Sequence, residues 1–313
     1  MRKIFTISAF AALLAGCTLT GMNSNVRRTE AAPAPAQAQS APAKAEEPMY
    51  ELDAQAEPRA SEGAVVSRES MVPAKVEPAV DADFDNGMAL FDAGKLRDAR
   101  LALTASLNNF LGEEAESKAL ATLREINSKI FLTAGEDGDL KLYVVKNGDS
   151  LGKIASANGT TVEMIQRLNG LKGTMIQVGQ TLKVLGGTFE LVVRRANFTM
   201  DLLLDGAFIQ RYQVGLGTGG STPLGEFKVK NRIPQPADGS YPYGHEKHRL
   251  GSRWLGLASE AGHKGYGIHG CRPEEEKMIP GECSAGCVRM KSGDVEEIYD
   301  IVPVGTRLVV IEK

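Results

Sequence analysis

A histidine and a cysteine set among small residues mark the reactive part of this 313-residue chain. The first stretch is Gly267-Ile268-His269-Gly270, and a loop later comes Ser284-Ala285-Gly286-Cys287-Val288-Arg289-Met290. A thiol is a weak nucleophile at neutral pH and its thiolate a strong one, so Cys287 needs a base or cation within hydrogen-bond reach. His269 is the candidate. Small neighbours let a substrate approach the sulfur and let main-chain N–H groups converge on one point, as a developing oxyanion requires. The N–H groups of Gly286 and Cys287 are the expected donors. The Ser284 carbonyl or hydroxyl is expected to hold the far nitrogen of His269, as the third member of a triad does. A nucleophile and a base so arranged suit two-step acyl transfer through a thioester. Zinc is the competing chemistry, because His245, His248, His263 and His269 precede Cys271, Cys283 and Cys287. The spacing follows no zinc template, so neither a metal nor a cofactor is expected.

Together these stretches resemble the signature of the YkuD-type L,D-transpeptidases, enzymes that cross-link peptidoglycan. Upstream, Thr222-Pro223-Leu224-Gly225-Glu226-Phe227 resembles that family's Thr-Pro-x-Gly-x-Phe turn, and the segment Leu250-Gly251-Ser252-Arg253-Trp254-Leu255-Gly256-Leu257 its pre-catalytic segment. The resemblance spans residues 188–313 and implies a mainly-β sandwich with the cysteine on a loop at its edge. It further implies that the sulfur attacks the third, diamino-acid residue of a tetrapeptide stem, that the terminal D-Ala leaves, and that an amine of a second stem resolves the thioester. Substrate contacts are expected at Arg289, Gly270, Tyr266 and Trp254, with His245 and His248 on a loop over the groove. Many relatives carry His where this chain has Ala285, which leaves His269 alone as base. Water in place of the amine would make a hydrolase on the same scaffold. A wall-binding lipoprotein without catalysis is the third reading, which the intact His269 and Cys287 oppose.

The supporting elements read in order along the chain. Residues 188–313 alternate apolar and polar: Phe189, Leu191 and Val193, then Met200, Leu202 and Leu204, with Asp205-Gly206 as a hairpin turn. One short helix is expected near residues 293–299 and a last strand at 307–311. Residues 141–186 order as strand, two helices and strand, which resembles a LysM domain, a small α+β module that grips peptidoglycan glycan strands. Gly148-Asp149-Ser150-Leu151 and Val178-Gly179-Gln180-Thr181-Leu182 carry that resemblance. It implies glycan contacts at Gly148, Asp149, Ser150, Leu151 and Asn169, weakened where Gly152 replaces the usual aromatic. Residues 81–133 read as a short α-helical, tetratricopeptide-like module: Met88, Phe91, Gly94, Ala99 and Leu103 fit one hairpin, and a third helix carries Leu120, Leu123, Ile126 and Ile130 on one face. This module is either a spacer or a site for a protein partner.

The N-terminal residues read as targeting and tether. Arg2 and Lys3 precede the short apolar run of residues 4–14, too short to span a bilayer as mature structure. Leu14-Ala15-Gly16-Cys17 resembles the bacterial lipoprotein box, which implies a signal over residues 1–16 and a lipidated Cys17 as the membrane anchor. Thr18 and Leu19 follow with no Asp, which in enteric lipoproteins favours the periplasmic face of the outer membrane. Residues 17–80 are rich in Ala, Pro, Glu, Gln and Ser, the composition of a disordered tether. With Cys17 assigned to lipid and Cys287 to chemistry, Cys271 and Cys283 are a candidate disulfide in an oxidising compartment; either could instead pair with Cys287. The formal net charge is −3 with no basic block, which argues against a nucleic-acid partner. The expected partners are therefore stem peptides and glycan strands, and the expected place is the cell envelope.

Overall fold

The structure, a computed structural model, describes residues 81–109, 111–135 and 138–313. The signal segment, Cys17 and the tether read from residues 1–80 lie outside them. In the first described stretch, Asp81 starts α1 (Ala82–Asp92), its carboxylate accepting from the N–H groups of Asp83 at 2.9 Å and Phe84 at 3.3 Å. Gly94, at φ +74°, turns the chain into α2 (Leu96–Ser106), and α3 (Glu113–Ile130) follows. This is one helical hairpin and a third helix, not a stack of repeats.

Next come β1 (Leu140–Val144), α4 (Leu151–Ala157), α5 (Val162–Asn169) and β2 (Thr181–Leu185), in the expected β-α-α-β order. The two strands pair antiparallel, and Val145, Leu151, Ile154, Ile165, Leu182 and Val184 form a separate small core. Ser150 caps α4 through the Lys153 N–H, and Thr161 caps α5 through the Met164 N–H at 2.9 Å.

The remaining elements are β3 (Phe189–Arg194), β4 (Thr199–Leu204), β5 (Ala207–Gln213), β6 (Gly215–Gly217), β7 (Gly225–Pro234), β8 (Arg253–Ala258), β9 (Gly267–His269), β10 (Gly281–Ser284), β11 (Val288–Arg289), α6 (Ser292–Ile301) and β12 (Arg307–Ile311). Asp205 and Gly206 both have positive φ, as a two-residue hairpin loop requires. The expected sandwich is corrected here to one mixed ten-stranded sheet, ordered β10-β6-β11-β9-β8-β7-β12-β3-β4-β5. The reason is β12: it pairs parallel with β3 and antiparallel with β7, so the last strand joins two halves that would otherwise be separate sheets. Arg307 on that strand forms ion pairs with Glu190 of β3 and Glu226 of β7. One apolar cluster draws on the sheet and on Val295, Ile298 and Tyr299 of α6.

The three helices cover the β5 edge. Phe208 of β5 is 1% exposed and lies in the helical cluster with Ala99, Leu103, Leu123 and Ile126. Asn127 donates through Nδ2 to the carbonyls of Phe208 and Ile209, both at 2.9 Å, and the Phe208 N–H donates to Thr104 Oγ1 at 2.9 Å. An open strand edge with free N–H and C=O groups is thereby closed. The chain's own sheet edge occupies this apolar stripe of the module. A buried charge cluster strengthens the junction, with Arg211 paired to Asp201 at 2.6 Å and to Glu116 of α3.

Candidate active site

The site is set by the register of three short strands. β11 runs parallel to β9, with Val288 opposite Ile268 and Arg289 opposite His269; β8 runs antiparallel, with Trp254 opposite His269. Ile268 and Val288 are buried in the core, so their neighbours in sequence point to the other face. His269, Arg289 and Trp254 therefore share a face, and Cys287 stands just before β11, level with Gly267 of β9. The Trp254 ring covers Gly267, where a Cβ would stand 2.6 Å from the indole, and stacks on His269 at 5.8 Å and 21°. Glycine at 267 is what lets the indole lie against the strand.

His269 is 3% exposed, and its Nδ1 lies 2.6 Å from the Gly270 carbonyl. A carbonyl only accepts, so Nδ1 carries the proton and Nε2 keeps its lone pair. Burial pushes the imidazole pKa down to about 4; the Gly270 carbonyl opposes that shift, and the Arg289 charge adds to it. The Cys287 thiol is half-buried and its pKa is raised by burial, against the pull of the Gly267 N–H and of Arg289. Its Sγ lies 3.8 Å from the Gly265 carbonyl. At neutral pH the pair is thus a neutral imidazole and a neutral thiol, not a standing ion pair.

Several expected roles are corrected by this geometry. Ser284 does not orient His269: its Oγ donates to the Cys287 carbonyl at 2.7 Å and accepts from the Gly286 N–H at 3.0 Å. The same bond engages the Gly286 N–H, so it is not a free oxyanion donor here. Gly270 acts through its carbonyl on His269, and as a buried residue it presents no surface to substrate. The Cys271–Cys283 bridge is absent: Cys271, Cys283 and Cys287 are all free thiols. Cys271 is buried with its Sγ 3.5 Å from the Met290 carbonyl, and burial lifts its pKa to about 11. Cys283 lies over Gly215, where a Cβ would come within 2.2 Å of its sulfur. Arg289, whose side chain is 12% exposed, pairs with Glu275 at 3.7 Å, a partner the motif does not reveal.

Tyr266 packs under the cysteine loop. A Cβ at Gly286, which has φ +134°, would meet the Tyr266 ring at 2.6 Å and the Ser221 carbonyl at 2.9 Å. Gly286→Ala should therefore shift the loop, lower the melting temperature and slow alkylation of Cys287 about 100-fold at a temperature where the variant is folded; the readout is the rate of iodoacetamide labelling followed by mass spectrometry. The other histidines have separate contacts. His245 stacks on Tyr241, His248 is buried with Nε2 donating to the Pro236 carbonyl at 2.8 Å, and His263 stacks on Phe227. Among the described residues, no group of three or more His, Cys, Asp or Glu side chains is placed to hold a metal ion.

In the β1–α5 module the expected glycan contacts separate. Gly148 is exposed, at φ +82°. Asp149 braces the turn, accepting from the Lys146 N–H at 2.7 Å and the Tyr143 hydroxyl at 2.9 Å. Leu151 is 1% exposed and belongs to the core, which rules it out as a contact. The Asn169 side chain bonds the Ile165 carbonyl and both the N–H and the carbonyl of Lys183, tying α5 to β2 instead of facing a ligand.

Residues 188–311 match the family profile of the L,D-transpeptidase catalytic domain, YkuD, and residues 143–185 that of the LysM domain. The chain is 31% identical to the putative L,D-transpeptidase YkuD of Bacillus licheniformis over 175 residues, 53% of this chain and 96% of that protein. Its identity to the Bacillus subtilis counterpart is 29% over 175 residues, 54% of this chain and 97% of that protein. An L,D-transpeptidase crystal structure from Mycobacterium tuberculosis aligns at 19% identity over 44% of this chain and 64% of that one, with a TM-score of 0.34. The chain belongs to the YkuD family of L,D-transpeptidases, enzymes that modify peptidoglycan. With it comes a LysM domain, and the two domains together imply peptidoglycan binding.

Proposed function

We propose that the chain is a cysteine acyltransferase that cross-links stem peptides. His269 Nε2 takes the Cys287 thiol proton as the sulfur attacks the carbonyl of the third residue of a tetrapeptide stem. The tetrahedral adduct collapses to a thioester; the C–N bond to the terminal D-Ala breaks, and His269 returns the proton to the leaving amine. An amine of a second stem then attacks the thioester, His269 accepts its proton, and the sulfur leaves and is reprotonated. The Cys287 N–H is the donor assigned to the oxyanion. Arg289, Trp254 and Tyr266 flank the stem, with Arg289 facing its carboxylate.

The observation that carries this reading is the hydrogen bond between His269 Nδ1 and the Gly270 carbonyl, which leaves Nε2 unprotonated and able to accept a proton. Incubation with tetrapeptide muropeptides should give cross-linked dimers by mass spectrometry, and none with Cys287→Ala. Released fragments without dimers would mean that water is the acceptor. A carbapenem should leave a covalent adduct on Cys287, and its absence would remove the thioester chemistry. We further propose that Cys17 carries a lipid and holds the enzyme at the cell envelope. The mass of the mature N-terminal peptide reads that directly.

A further inference from the structure

The link between the LysM module and the catalytic sheet is three residues, 186–188, and it is fastened along its length. The Gly187 N–H donates to the Asn158 carbonyl at 3.1 Å, and the Thr188 N–H to Asp205 Oδ1 at 2.8 Å. A Cβ at Gly159 would stand 2.6 Å from the Gly187 carbonyl, so this link lies directly against the α4–α5 turn. Gly186 is buried.

One face of α5 is docked. Met164, 4% exposed, sits in the catalytic core cluster and not in the module's own core, and Leu168 packs beside it. Arg167 pairs with Asp300 of α6 at 2.9 Å, and Glu163 with Arg232 of β7 at 3.3 Å. Thr161 donates its hydroxyl hydrogen to the Asp300 carbonyl while capping its own helix.

Other parts of the module stay open. Met175 is 90% exposed and Val178 69%, on the loop between α5 and β2, and the Gly148 turn is exposed as well. The module is therefore held through α5 and leaves these loops accessible.

We propose that this docking fixes the register between the gripped glycan and Cys287, so that the enzyme selects stems carried on a polymeric glycan strand over the same stems free in solution. The proposal rests on the stem-peptide reading above. A module on a flexible link raises local substrate concentration over a broad volume, whereas a docked one concentrates only those stems whose spacing from the gripped sugars matches the site. Met164 is a positioning residue in this scheme, since it touches neither glycan nor sulfur.

The test compares KM for stems on isolated glycan strands with KM for the free disaccharide tetrapeptide, in the full chain. Wild type should favour strands, and Met164→Lys should lose about tenfold of that preference while keeping kcat/KM on the free substrate and strand binding by sedimentation. Met164→Leu should restore it. Met164→Ala with Arg167→Ala and an insertion of about ten Gly/Ser residues after Gly186 provides a second variant, which removes α5 contacts and lengthens the link together, and should give the same loss. An undiminished strand preference in the insertion variant overturns the proposal, because tethering alone would then suffice. Failure of wild type to turn over either substrate would instead count against the stem-peptide reading itself.

Discussion

Replacing His269 by glutamine is expected to slow acylation of Cys287 about a thousandfold, the usual worth of a positioned general base. Because burial holds the wild-type imidazole near pH 4, the acid limb of the acylation rate should fall there and not at the ordinary histidine value of 6.5. Activity should stay flat from pH 7 down to about 5, and stopped-flow acylation by a carbapenem across that range reads the limb. The glutamine variant should show no such limb. Stability should respond to the same group. A histidine whose folded pKa lies below its unfolded value contributes stability that is complete above the unfolded pKa and is lost as pH falls toward the folded one. From 6.5 down to about 4, that loss is about 3 kcal/mol in the wild type relative to His269→Gln. Denaturant titrations of both proteins at pH 7 and pH 4 measure it. Equal acid sensitivity in the two would mean that the imidazole is not buried in neutral form.

Asp201→Ala should be the most damaging substitution away from the site. Asp201 is 2% exposed and accepts from Arg211 Nε at 2.6 Å, Arg211 Nη2 at 2.8 Å and Arg194 Nε at 3.4 Å. Removing the carboxylate leaves two nearly buried guanidinium groups facing each other with one anion fewer. Breaking a buried pair from one side costs about 3–5 kcal/mol, because the remaining charge stays desolvated. Glu116 still reaches Arg211 and Asn108 still accepts from Arg194 at 2.9 Å, so the loss should lie at the lower end of that range. Asp201→Asn should cost less than Asp201→Ala, since it keeps an acceptor. Urea midpoints of the three proteins give the comparison. Since Glu116 lies on α3, the variant should also expose the β5 edge, read as faster amide exchange at Phe208 and Ile209.

Local chemistry was legible from residue types. Residue types alone place the start of α4 at Asp149 or Ser150 and bound α5 by Thr161 and Gly170, because capping is settled within a few residues; Ser150 is the cap that forms. Asp205-Gly206 marked its hairpin because few residue pairs accept positive φ in succession. The roles of Ser284 and Asn169 were misread for a shared reason. A polar side chain announces that it will bond, but not to what, and both found main-chain partners. The third member of the His269 arrangement is a carbonyl, which every residue possesses, so no residue type could have signalled it.

The sequence by itself determined that Cys287 and His269 stand among small residues, that strands dominate residues 188–313, and that a β-α-α-β module precedes them. Each follows from local preference or from the period of apolar side chains. Only the tertiary structure decided that β9 and β11 lie side by side in a register that sets Arg289 beside His269 and brings the Cys287 loop to Gly267. It alone decided that β12 merges two half-sheets, that the helices close the β5 edge, and that α5 is clamped to α6. Those outcomes depend on which distant surfaces bury each other best, a long-range competition that no stretch of residues encodes alone.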